Sequence, residues 1–284
     1  MITAAGSSEA RVRSETLIAD YRGKAVLVTG GTAGIGLATA LEFGRCGAEC
    51  TLTYRFGSAD EDDVRRRFAE AGAPPPFIVQ ADASSEEETG ELLRTLRARH
   101  GSIEALVVNV SAALVTHSVD DYDRRGLLKS IEASAWPLVS YVRGVRDAFG
   151  KYPRYVIGMS STGVSSFASG YDFVAASKAV METLARYMSV RLYDEDVRIN
   201  VIRSRSIVTT SFESTFGKEF FGFARRFCDP EKHFLSPEEV GEAAVALASG
   251  MMDGVRGQVL TVDRGTTFFD DFMRVFDERD RYGL

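Results

Sequence analysis

The 284-residue chain contains few of the residues that build disulfide frameworks or metal sites. Its cysteines and histidines are Cys46, Cys50, Cys228, His100, His117 and His233. The odd number and irregular spacing of the cysteines exclude a disulfide framework and a zinc knuckle, and the histidines are too scattered to indicate a metal site. We therefore expect reduced cysteines, no metal and a cytoplasmic location.

Long apolar runs and an excess of positive charge are also absent. No segment reaches the ~18 consecutive apolar residues of a membrane-spanning helix. Residues 1–20 lack the apolar core of a signal peptide, and we predict that they form a mobile arm. The formal net charge of −6 is opposite in sign to that of most nucleic-acid-binding proteins. The sequence thus argues against membrane and nucleic-acid partners.

Seven short apolar runs alternate with longer amphipathic stretches from Lys24 onward. The runs are Ala25–Val28, Cys50–Tyr54, Phe77–Gln80, Ala105–Asn109, Tyr155–Met159, Ile199–Ile202 and Val259–Val262. They lack clean alternation with polar residues, which is typical of parallel strands covered on both faces. Helical patterns such as Val64–Ala71 and Glu86–Ala98 lie between them. The sequence predicts an α/β fold in which residues 21–284 form one Rossmann-type domain, a doubly wound parallel seven-stranded sheet with helices on both faces.

The first predicted strand leads directly into a glycine-rich turn. The turn reads Thr29-Gly30-Gly31-Thr32-Ala33-Gly34-Ile35-Gly36, and a helix is expected to begin near Ile35. Glycines here allow a tight turn and let backbone N–H groups approach a pyrophosphate at the helix N-terminus. Because the turn follows the first strand of an α/β pattern, we predict a dinucleotide site. Its members are Gly30, Thr32, Gly34, Ile35 and Gly36.

The end of the second predicted strand indicates which dinucleotide is bound. Residues Thr53, Tyr54 and Arg55 include no carboxylate for the ribose 2′-hydroxyl that NAD presents. The Arg55 guanidinium instead suits a 2′-phosphate, and Ser58 could add a hydroxyl. We predict NADPH, with Tyr54 and Arg55 in its site; a solvated surface arginine is the alternative.

The TGxxxGxG spacing of the turn resembles that of the short-chain dehydrogenase/reductase family, whose other motifs follow in order from about residue 23 to 265. The resemblance implies that Asp82 and Ala83 lie near adenine. It also implies that Asn109, in Val108-Asn109-Val110-Ser111, and Ile207 and Thr209 belong to the cofactor site, with Ser111 facing substrate. Asp263-Arg264-Gly265 stands in place of the family's DGG.

The catalytic segment departs from the commonest family pattern. Tyr-x-x-x-Lys would require a tyrosine at position 174, which is Val174. Tyr171 and Lys178 instead form a Tyr-x6-Lys motif that resembles the NADPH-using type III enoyl-acyl-carrier-protein reductases, as does Ser160-Ser161-Thr162-Gly163. This resemblance implies Tyr171 as proton donor, Lys178 as a ligand of the nicotinamide ribose and Ser161 as the serine that orients substrate.

The wider spacing has a chemical consequence. Seven residues at ~100° each bring Tyr171 within about 20° of Lys178 around a helix, ~10 Å along its axis, against ~6 Å for a spacing of four. Reduction of a conjugated enoyl thioester puts hydride on Cβ while charge develops on an oxygen three bonds away. A displaced acid suits that enolate oxygen, although ordinary packing of Tyr171 is an alternative.

Aromatic residues are concentrated in residues 210–235 and after Gly265. We predict a substrate lid at about 210–235, in which Phe212 and Phe216 contact an apolar substrate; a core or subunit interface is the alternative. Arg205 is predicted to bind substrate, and Arg203 and Arg205 either meet a phosphate-bearing substrate or are solvated. Glu132 replaces the asparagine of the family's proton relay.

The sequence thus predicts a dinucleotide-binding, NADPH-dependent reductase of an acyl thioester carried on acyl carrier protein or coenzyme A. An atypical ketoreductase of specialised metabolism and an inactive NADP(H)-binding regulator are the alternatives. The resemblance also implies a homo-oligomer, a tetramer or dimer, and apolar faces in residues 118–149 and 172–193 favour it. These faces contain Leu128, Ile131, Trp136, Val139, Ala179, Leu184 and Met188.

Overall fold

The computed structural model describes residues 19–55, 60–111, 115–205, 207, 209, 212, 217 and 219–283. The predictions for Ser58, for Phe216 and for nearly all of the N-terminal arm lie outside the described residues. No helix among the described residues is both long enough and apolar enough to cross a bilayer.

Seven parallel strands form one sheet in the order β3-β2-β1-β4-β5-β6-β7. The strands are β1 Ala25–Thr29, β2 Glu49–Tyr54, β3 Phe77–Gln80, β4 Ile103–Val108, β5 Tyr155–Ser161, β6 Arg198–Ser204 and β7 Val259–Val262. The order changes direction between β1 and β4, so the carboxyl ends of these strands flank the switch point at which such sheets bind ligands. The predicted fold class is confirmed, and every predicted strand is present within a few residues.

The helices lie between the strands and after β6. They are α1 Gly34–Arg45, α2 Glu61–Glu70, α3 Glu86–Arg99, α4 Arg124–Ser134, α5 Trp136–Phe149, α6 Asp172–Arg191, α7 Phe220–Ala224, α8 Pro230–His233, α9 Pro237–Leu247, α10 Asp271–Asp277 and α11 Arg279–Tyr282. Short 3₁₀ turns occur at Val119–Asp121, Thr162–Val164 and Thr266–Phe268. The helices therefore follow the alternation that the sequence predicts.

The sheet has an apolar core on each face. Along β1, Val26 and Val28 belong to one core cluster, whereas Ala25 and Leu27 belong to the other. Both faces of a central strand are thus dry, which explains why its sequence has no polar alternation. Burial of each valine or leucine side chain in these clusters stabilises the fold by about 1.5–3 kcal/mol.

Residues 118–149, which contain one of the predicted apolar faces, form two helices, α4 and α5. Asp123 caps α4 by accepting a hydrogen bond from the Gly126 N–H at 2.7 Å. Ala135 separates α4 from α5, and Pro137 lies in the first turn of α5. Proline has no N–H and its ring would meet the carbonyl four residues earlier, so a continuous helix is interrupted there.

Candidate active site

The glycine-rich turn forms a backbone cradle at the start of α1. Gly30 and Gly34 have φ of +61° and +52°, a left-handed conformation that favours glycine. A Cβ atom at Gly36 would lie 2.2 Å from the Gly30 carbonyl oxygen, so only hydrogen fits there. Thr32 and Ile35 are half-buried in the same turn. An N-terminal helix turn with this close backbone approach fits a dinucleotide pyrophosphate.

Two other predicted cofactor residues lie against this turn. The Asn109 side-chain amide donates to the Gly30 carbonyl at 3.0 Å, and its backbone N–H donates to Thr29 Oγ1 at 3.0 Å. Thr209 lies on the other side, because a Cβ at Gly34 would come within 3.5 Å of its methyl group. Ile207 is buried and forms a bridge with Leu235. The structure thus brings Asn109 and Thr209 to the turn, where Asn109 supports its shape.

The predicted phosphate ligand and the predicted adenine neighbour form an ion pair. Arg55 Nε lies 2.8 Å from Asp82 Oδ2, and 53% of the Arg55 side chain is exposed. Asp82 also accepts hydrogen bonds from the Ser84 N–H at 2.9 Å and the Ser84 hydroxyl at 2.6 Å. Tyr54 donates to Glu61 at 3.0 Å, which directs its hydroxyl toward α2. The adjacent Ala83 is buried.

Tyr171 is at the N-cap of α6 rather than within the helix. Its φ and ψ are −106° and 6°, and the helix begins at Asp172. The angular argument from an ideal helix therefore does not apply to this side chain. The reason is local: Gly170, with φ of +75°, brings the chain sharply into the helix. Tyr171 still joins the first turn, because its carbonyl accepts the Ala175 N–H at 2.8 Å.

The Tyr171 phenol meets the predicted substrate-orienting serine. Burial raises the pKa of Tyr171, and a hydrogen bond with the Ser161 side chain lowers it in part. Ser161 Oγ also accepts the Gly163 N–H at 3.2 Å. A Cβ at Gly163 would lie 2.6 Å from the Tyr171 ring, so the ring packs directly against this glycine and leaves no room for a side chain. The structure therefore brings Tyr171 and Ser161 together.

Lys178 lies within α6, and its side chain is buried. Burial lowers its pKa to about 8, and its ammonium donates to the Val110 carbonyl at 3.4 Å. Val174, at the position of the commoner catalytic tyrosine, is buried, with 3% of the residue exposed. An aliphatic side chain therefore occupies that position, and the tyrosine near Ser161 is Tyr171, which immediately precedes α6.

Two groups of polar residues near Tyr171 were not predicted. Asp172 accepts hydrogen bonds from Thr116 at 2.6 Å and Tyr122 at 2.7 Å, which anchors the chain after β4 over the start of α6. On the inner face of α6, Glu182 forms a buried ion pair with Arg203. Arg203, predicted to contact phosphate or to be solvated, is therefore paired with a carboxylate instead, and the sequence does not indicate this pair because Glu182 lies on α6 and Arg203 on β6.

The predicted lid residue Phe212 belongs to an aromatic cluster. Its ring centroid is 5.2 Å from that of Phe220 and 6.4 Å from that of Phe234. Thr209 Oγ1 accepts the Phe212 N–H at 3.1 Å, so the cluster adjoins the residue that faces the glycine-rich turn. Among the described residues of this region, α7 and α8 are short separate helices.

The segment that follows β7 contacts the region predicted to form a substrate lid. Arg205 donates to the Thr266 carbonyl at 2.6 Å, and Arg264 donates to the Glu231 carbonyl at 2.5 Å. Arg264 also forms a bidentate pair with the Glu239 carboxylate, in which Nε donates to Oε1 at 2.9 Å and Nη2 donates to Oε2 at 2.6 Å. Burial alone would raise the pKa of Glu239, but hydrogen bonds from Arg264 and Ser236 outweigh it and lower that pKa. Both arginines thus contact protein groups of the lid and tail.

The remaining predicted residues occupy different environments. Ser111 is exposed, and its hydroxyl lies 3.3 Å from that of Ser134. Glu132 is exposed on the outer side of α4, beside Lys129 and Leu128. Among the described residues, no group of three or more metal-ligating side chains is suited to a metal ion. All three cysteines are buried and free.

Known proteins share this sequence pattern and fold. Residues 30–267 match the family model described as enoyl-(acyl carrier protein) reductase. The chain is 28% identical to 3beta-hydroxysteroid dehydrogenase 1 of Eggerthella lenta, over 89% of this chain and 97% of that protein. It is 25% identical to the enoyl-(acyl-carrier-protein) reductase (NADH) of Aquifex aeolicus, over 86% of this chain and 91% of that protein.

A solved structure gives the same fold. That of 7 alpha-hydroxysteroid dehydrogenase, complexed with NADH and 7-oxo glycochenodeoxycholic acid, matches with a TM-score of 0.77 and 22% identity. The match covers 89% of this chain and 98% of that one. At this identity the likeness concerns the fold.

Proposed function

The chain belongs to the short-chain dehydrogenase/reductase family and resembles its enoyl-(acyl carrier protein) reductases, and on that premise we propose that it reduces the C=C bond of an enoyl thioester with NADPH. Oxidoreductase chemistry follows from the family. The choice of bond and cofactor rests on the residues of this site. The observation that carries the proposal is the position of Tyr171, beside Ser161 at the N-cap of α6, with Val174 buried where the commoner tyrosine would be.

Tyr171 is the proposed proton donor. In conjugate reduction the negative charge develops on the thioester oxygen, which is remote from the carbon that receives hydride. Tyr171 precedes the helix and lies seven residues before Lys178, so we assign its phenol to that remote oxygen. Its pKa is raised by burial, which keeps the phenol protonated and able to donate at neutral pH.

Ser161 and Lys178 have supporting roles in this proposal. The Ser161 hydroxyl would support the Tyr171 phenol, because both side chains border Gly163: a Cβ there would lie 2.6 Å from the Tyr171 ring and 3.6 Å from Ser161 Oγ. Lys178 would bind the ribose hydroxyls of the nicotinamide half and contribute positive charge, because its pKa of about 8 leaves it mainly protonated at neutral pH. The bound nicotinamide cofactor would supply the hydride.

Cofactor preference is proposed from the charge at the end of β2. The Aquifex relative is named for NADH, but this chain has a guanidinium and no carboxylate at residues 53–55. Arg55 is half-exposed and pairs with Asp82, so its guanidinium can offer one edge to Asp82 and another to a 2′-phosphate. This geometry supports NADPH over NADH.

The aromatic cluster indicates the substrate class. Phe212, Phe220 and Phe234 form an apolar wall next to Thr209, which itself faces the glycine-rich turn. Such a wall favours an acyl chain, which acyl carrier protein or coenzyme A would deliver. Phe212 packs against the other two rings of this cluster, so we propose that the three rings together, rather than Phe212 alone, contact the substrate.

The test is NADPH oxidation with a matched panel of enoyl thioesters and free ketones. We expect the highest kcat/KM with an enoyl thioester and a lower value with NADH. Turnover of ketones with enoyl thioesters inert would contradict the proposal. NADPH binding without oxidation by any substrate would instead favour the inactive regulator.

Ketone reduction is the second candidate, and one observation favours it. The Eggerthella relative, a 3beta-hydroxysteroid dehydrogenase, is slightly more similar to this chain than the Aquifex enoyl reductase is. In that case the proton donor would act on the carbonyl that receives hydride. Tyr122, 48% exposed and hydrogen-bonded to Asp172, would be the tyrosine to test beside Tyr171.

We also propose a homo-oligomer, as a tetramer or dimer. Leu128 on α4 and Trp136 on α5 are 46% and 36% exposed, and Tyr187 and Val190 on α6 are 69% and 75% exposed. Large apolar side chains on adjoining helices favour contact with a second copy of the chain. Light scattering at micromolar concentration tests this, and a monomer would contradict it. The cytoplasmic location stays a prediction.

A further inference from the structure

A buried ion pair joins α6, which contains Lys178, to the neighbouring strand β6. Arg203 Nε and Nη2 donate to the two oxygens of Glu182 at 3.0 and 2.5 Å. The exposed fractions of the two side chains are 19% for Arg203 and 5% for Glu182. Glu182 follows Lys178 by one turn of α6, and Arg203 is near the carboxyl end of β6. We call these two residues the Glu182–Arg203 pair.

The pair is tied to both ends of the turn on which Tyr171 rests. The Ser160 hydroxyl donates to Glu182 Oε1 at 2.7 Å, and Arg203 Nη1 donates to Ser165 Oγ at 3.4 Å. Between these two serines lies the segment that contains Ser161 and Gly163. A Cβ at Gly163 would lie 2.6 Å from the Tyr171 ring and 3.6 Å from Ser161 Oγ, so both side chains border this glycine. The pair therefore fixes both ends of the segment that contacts the proposed proton donor, Tyr171.

Stability alone does not account for a charged pair at this place. Replacement of a buried ion pair by apolar residues of similar size is often neutral or stabilising, because desolvation offsets the attraction. A second pair on β6, Arg198 with Asp253 at 2.9 Å, lies at the opposite end of the strand and has no tie to the turn. Asp253 accepts the Tyr155 hydroxyl at 2.8 Å, whereas the Glu182–Arg203 pair bonds the hydroxyls of Ser160 and Ser165 at the two ends of the turn.

We propose that the Glu182–Arg203 pair is a positioning element for Tyr171: it fixes the segment from Ser160 to Ser165, and thereby aims the phenol. Neither residue touches substrate in this account, because both act through the turn. The inference rests on the donor role proposed above for Tyr171. It adds that two residues 21 positions apart in sequence set the orientation of that donor.

Three variants test the proposal, and they disturb the fold to different degrees. Ser160→Ala cuts one tie and leaves both charges paired. The double variant Glu182→Met with Arg203→Met removes both charges together, so no unpaired charge remains buried. Arg198→Met removes the control pair. We expect the first two to lower kcat by roughly 10- to 100-fold, with little change in the dissociation constant of NADPH, and Arg198→Met to keep the parental kcat.

Two further measurements separate positioning from a general structural effect. Amide hydrogen exchange of residues 161–166 should rise in the double variant and stay parental in Arg198→Met. In a Tyr171→Phe background, the double variant should cause little further loss of kcat, because the donor that it aims is already absent. Parental exchange of the turn, or an equal loss of kcat in both backgrounds, would overturn the proposal.

Results that contradict the donor role of Tyr171 differ from those that contradict the positioning role of the Glu182–Arg203 pair. If Tyr171→Phe alone retains the parental rate, Tyr171 is not the donor, and that result is independent of the exchange data. If Tyr171→Phe is impaired while the double variant keeps parental kcat and exchange, the donor role stands and the positioning role is wrong.

Discussion

The ring of Tyr171 rests on Gly163 so closely that a Cβ atom at position 163 would lie 2.6 Å from the ring carbon Cδ1. The glycine is not required by its backbone conformation, because its φ is outside the left-handed region. It is required by the ring. This contact therefore connects a small residue after β5 with the orientation of the proposed proton donor.

Replacement of Gly163 by alanine should displace the Tyr171 phenol while the cofactor cradle stays intact. We expect Gly163→Ala to lower kcat by on the order of 10- to 100-fold, because a misplacement of about 1 Å has effects of this size. The dissociation constant of NADPH should change little. Gly101→Ala is the matched control, since a Cβ there meets nothing within 4 Å. A parental kcat in Gly163→Ala would mean that the ring can shift without consequence.

Removal of the Tyr171 hydroxyl tests the donor directly. Tyr171→Phe keeps the ring on Gly163 and should lower kcat for enoyl thioesters by roughly 10²–10³-fold, as loss of one such donor does elsewhere. NADPH affinity should be nearly unchanged. Tyr187→Phe, on the exposed side of α6, is the control. Parental turnover by Tyr171→Phe would return Tyr171 to a packing role and favour ketone reduction with another proton source.

Local sequence patterns predicted the parts of this site that depend on local physics. Continuous apolar runs predicted the buried parallel strands, and the glycines at 30, 34 and 36 predicted the cradle that their backbone forms. The motif that contains Tyr171 and Lys178 spans the N-cap and the first two turns of α6, and the catalytic roles of the two residues stay predictions. In each case the information lies within about ten neighbouring residues.

The structure departs from those expectations where distant segments meet. The sequence predicts that Arg203 either contacts a phosphate-bearing substrate or is solvated, but strand register places it opposite Ser160 and within reach of Glu182. No local pattern specifies which strand lies next to which. Tyr171 was placed on a helix by spacing, but the conformation of Gly170 starts that helix one residue later.

Charge at position 55 should decide cofactor preference. Arg55→Ala should weaken NADPH binding by roughly 1.5–3 kcal/mol, because a charge-assisted contact with the 2′-phosphate is lost. NADH, which has no such phosphate, should bind with nearly parental affinity. Arg66→Ala on α2 is the control, since Arg66 is 60% exposed and pairs with Glu70. An unchanged ratio of the two affinities in Arg55→Ala would assign Arg55 to its pair with Asp82 alone.

Arg264 combines a strained backbone with a bracing side chain. It is the one described non-glycine residue with positive φ, at +55°, and its guanidinium joins Glu239 and the Glu231 carbonyl. Arg264→Ala loses the side-chain contacts and keeps the strain, whereas Arg264→Gly relieves the strain. Urea unfolding should show Arg264→Gly to be more stable than Arg264→Ala by about 1 kcal/mol. Equal stabilities would mean that the backbone relaxes when the guanidinium is removed.

Burial of the Lys178 ammonium makes stability depend on pH in a defined window. Its pKa in the folded protein is about 8, against an ordinary value of 10.5. Below about pH 8 both states hold the proton, and the folded state carries the full penalty of a buried charge. Between about pH 8 and 10.5 the unfolded chain binds more protons, so this group makes the folded state progressively more stable as pH rises.

The change Lys178→Met removes that dependence. In the absence of cofactor, the Met variant should be more stable than the parent at about pH 7.5, and the difference should shrink by about 3 kcal/mol by pH 10.5. Urea unfolding of both proteins across this range measures it. Lys232→Met, at a lysine whose side chain is 75% exposed, is the control and should show a far smaller change. A constant difference for Lys178→Met would mean that the ammonium remains hydrated in the folded protein, and its proposed contribution of positive charge near the nicotinamide would then be as strongly screened as that of a surface lysine.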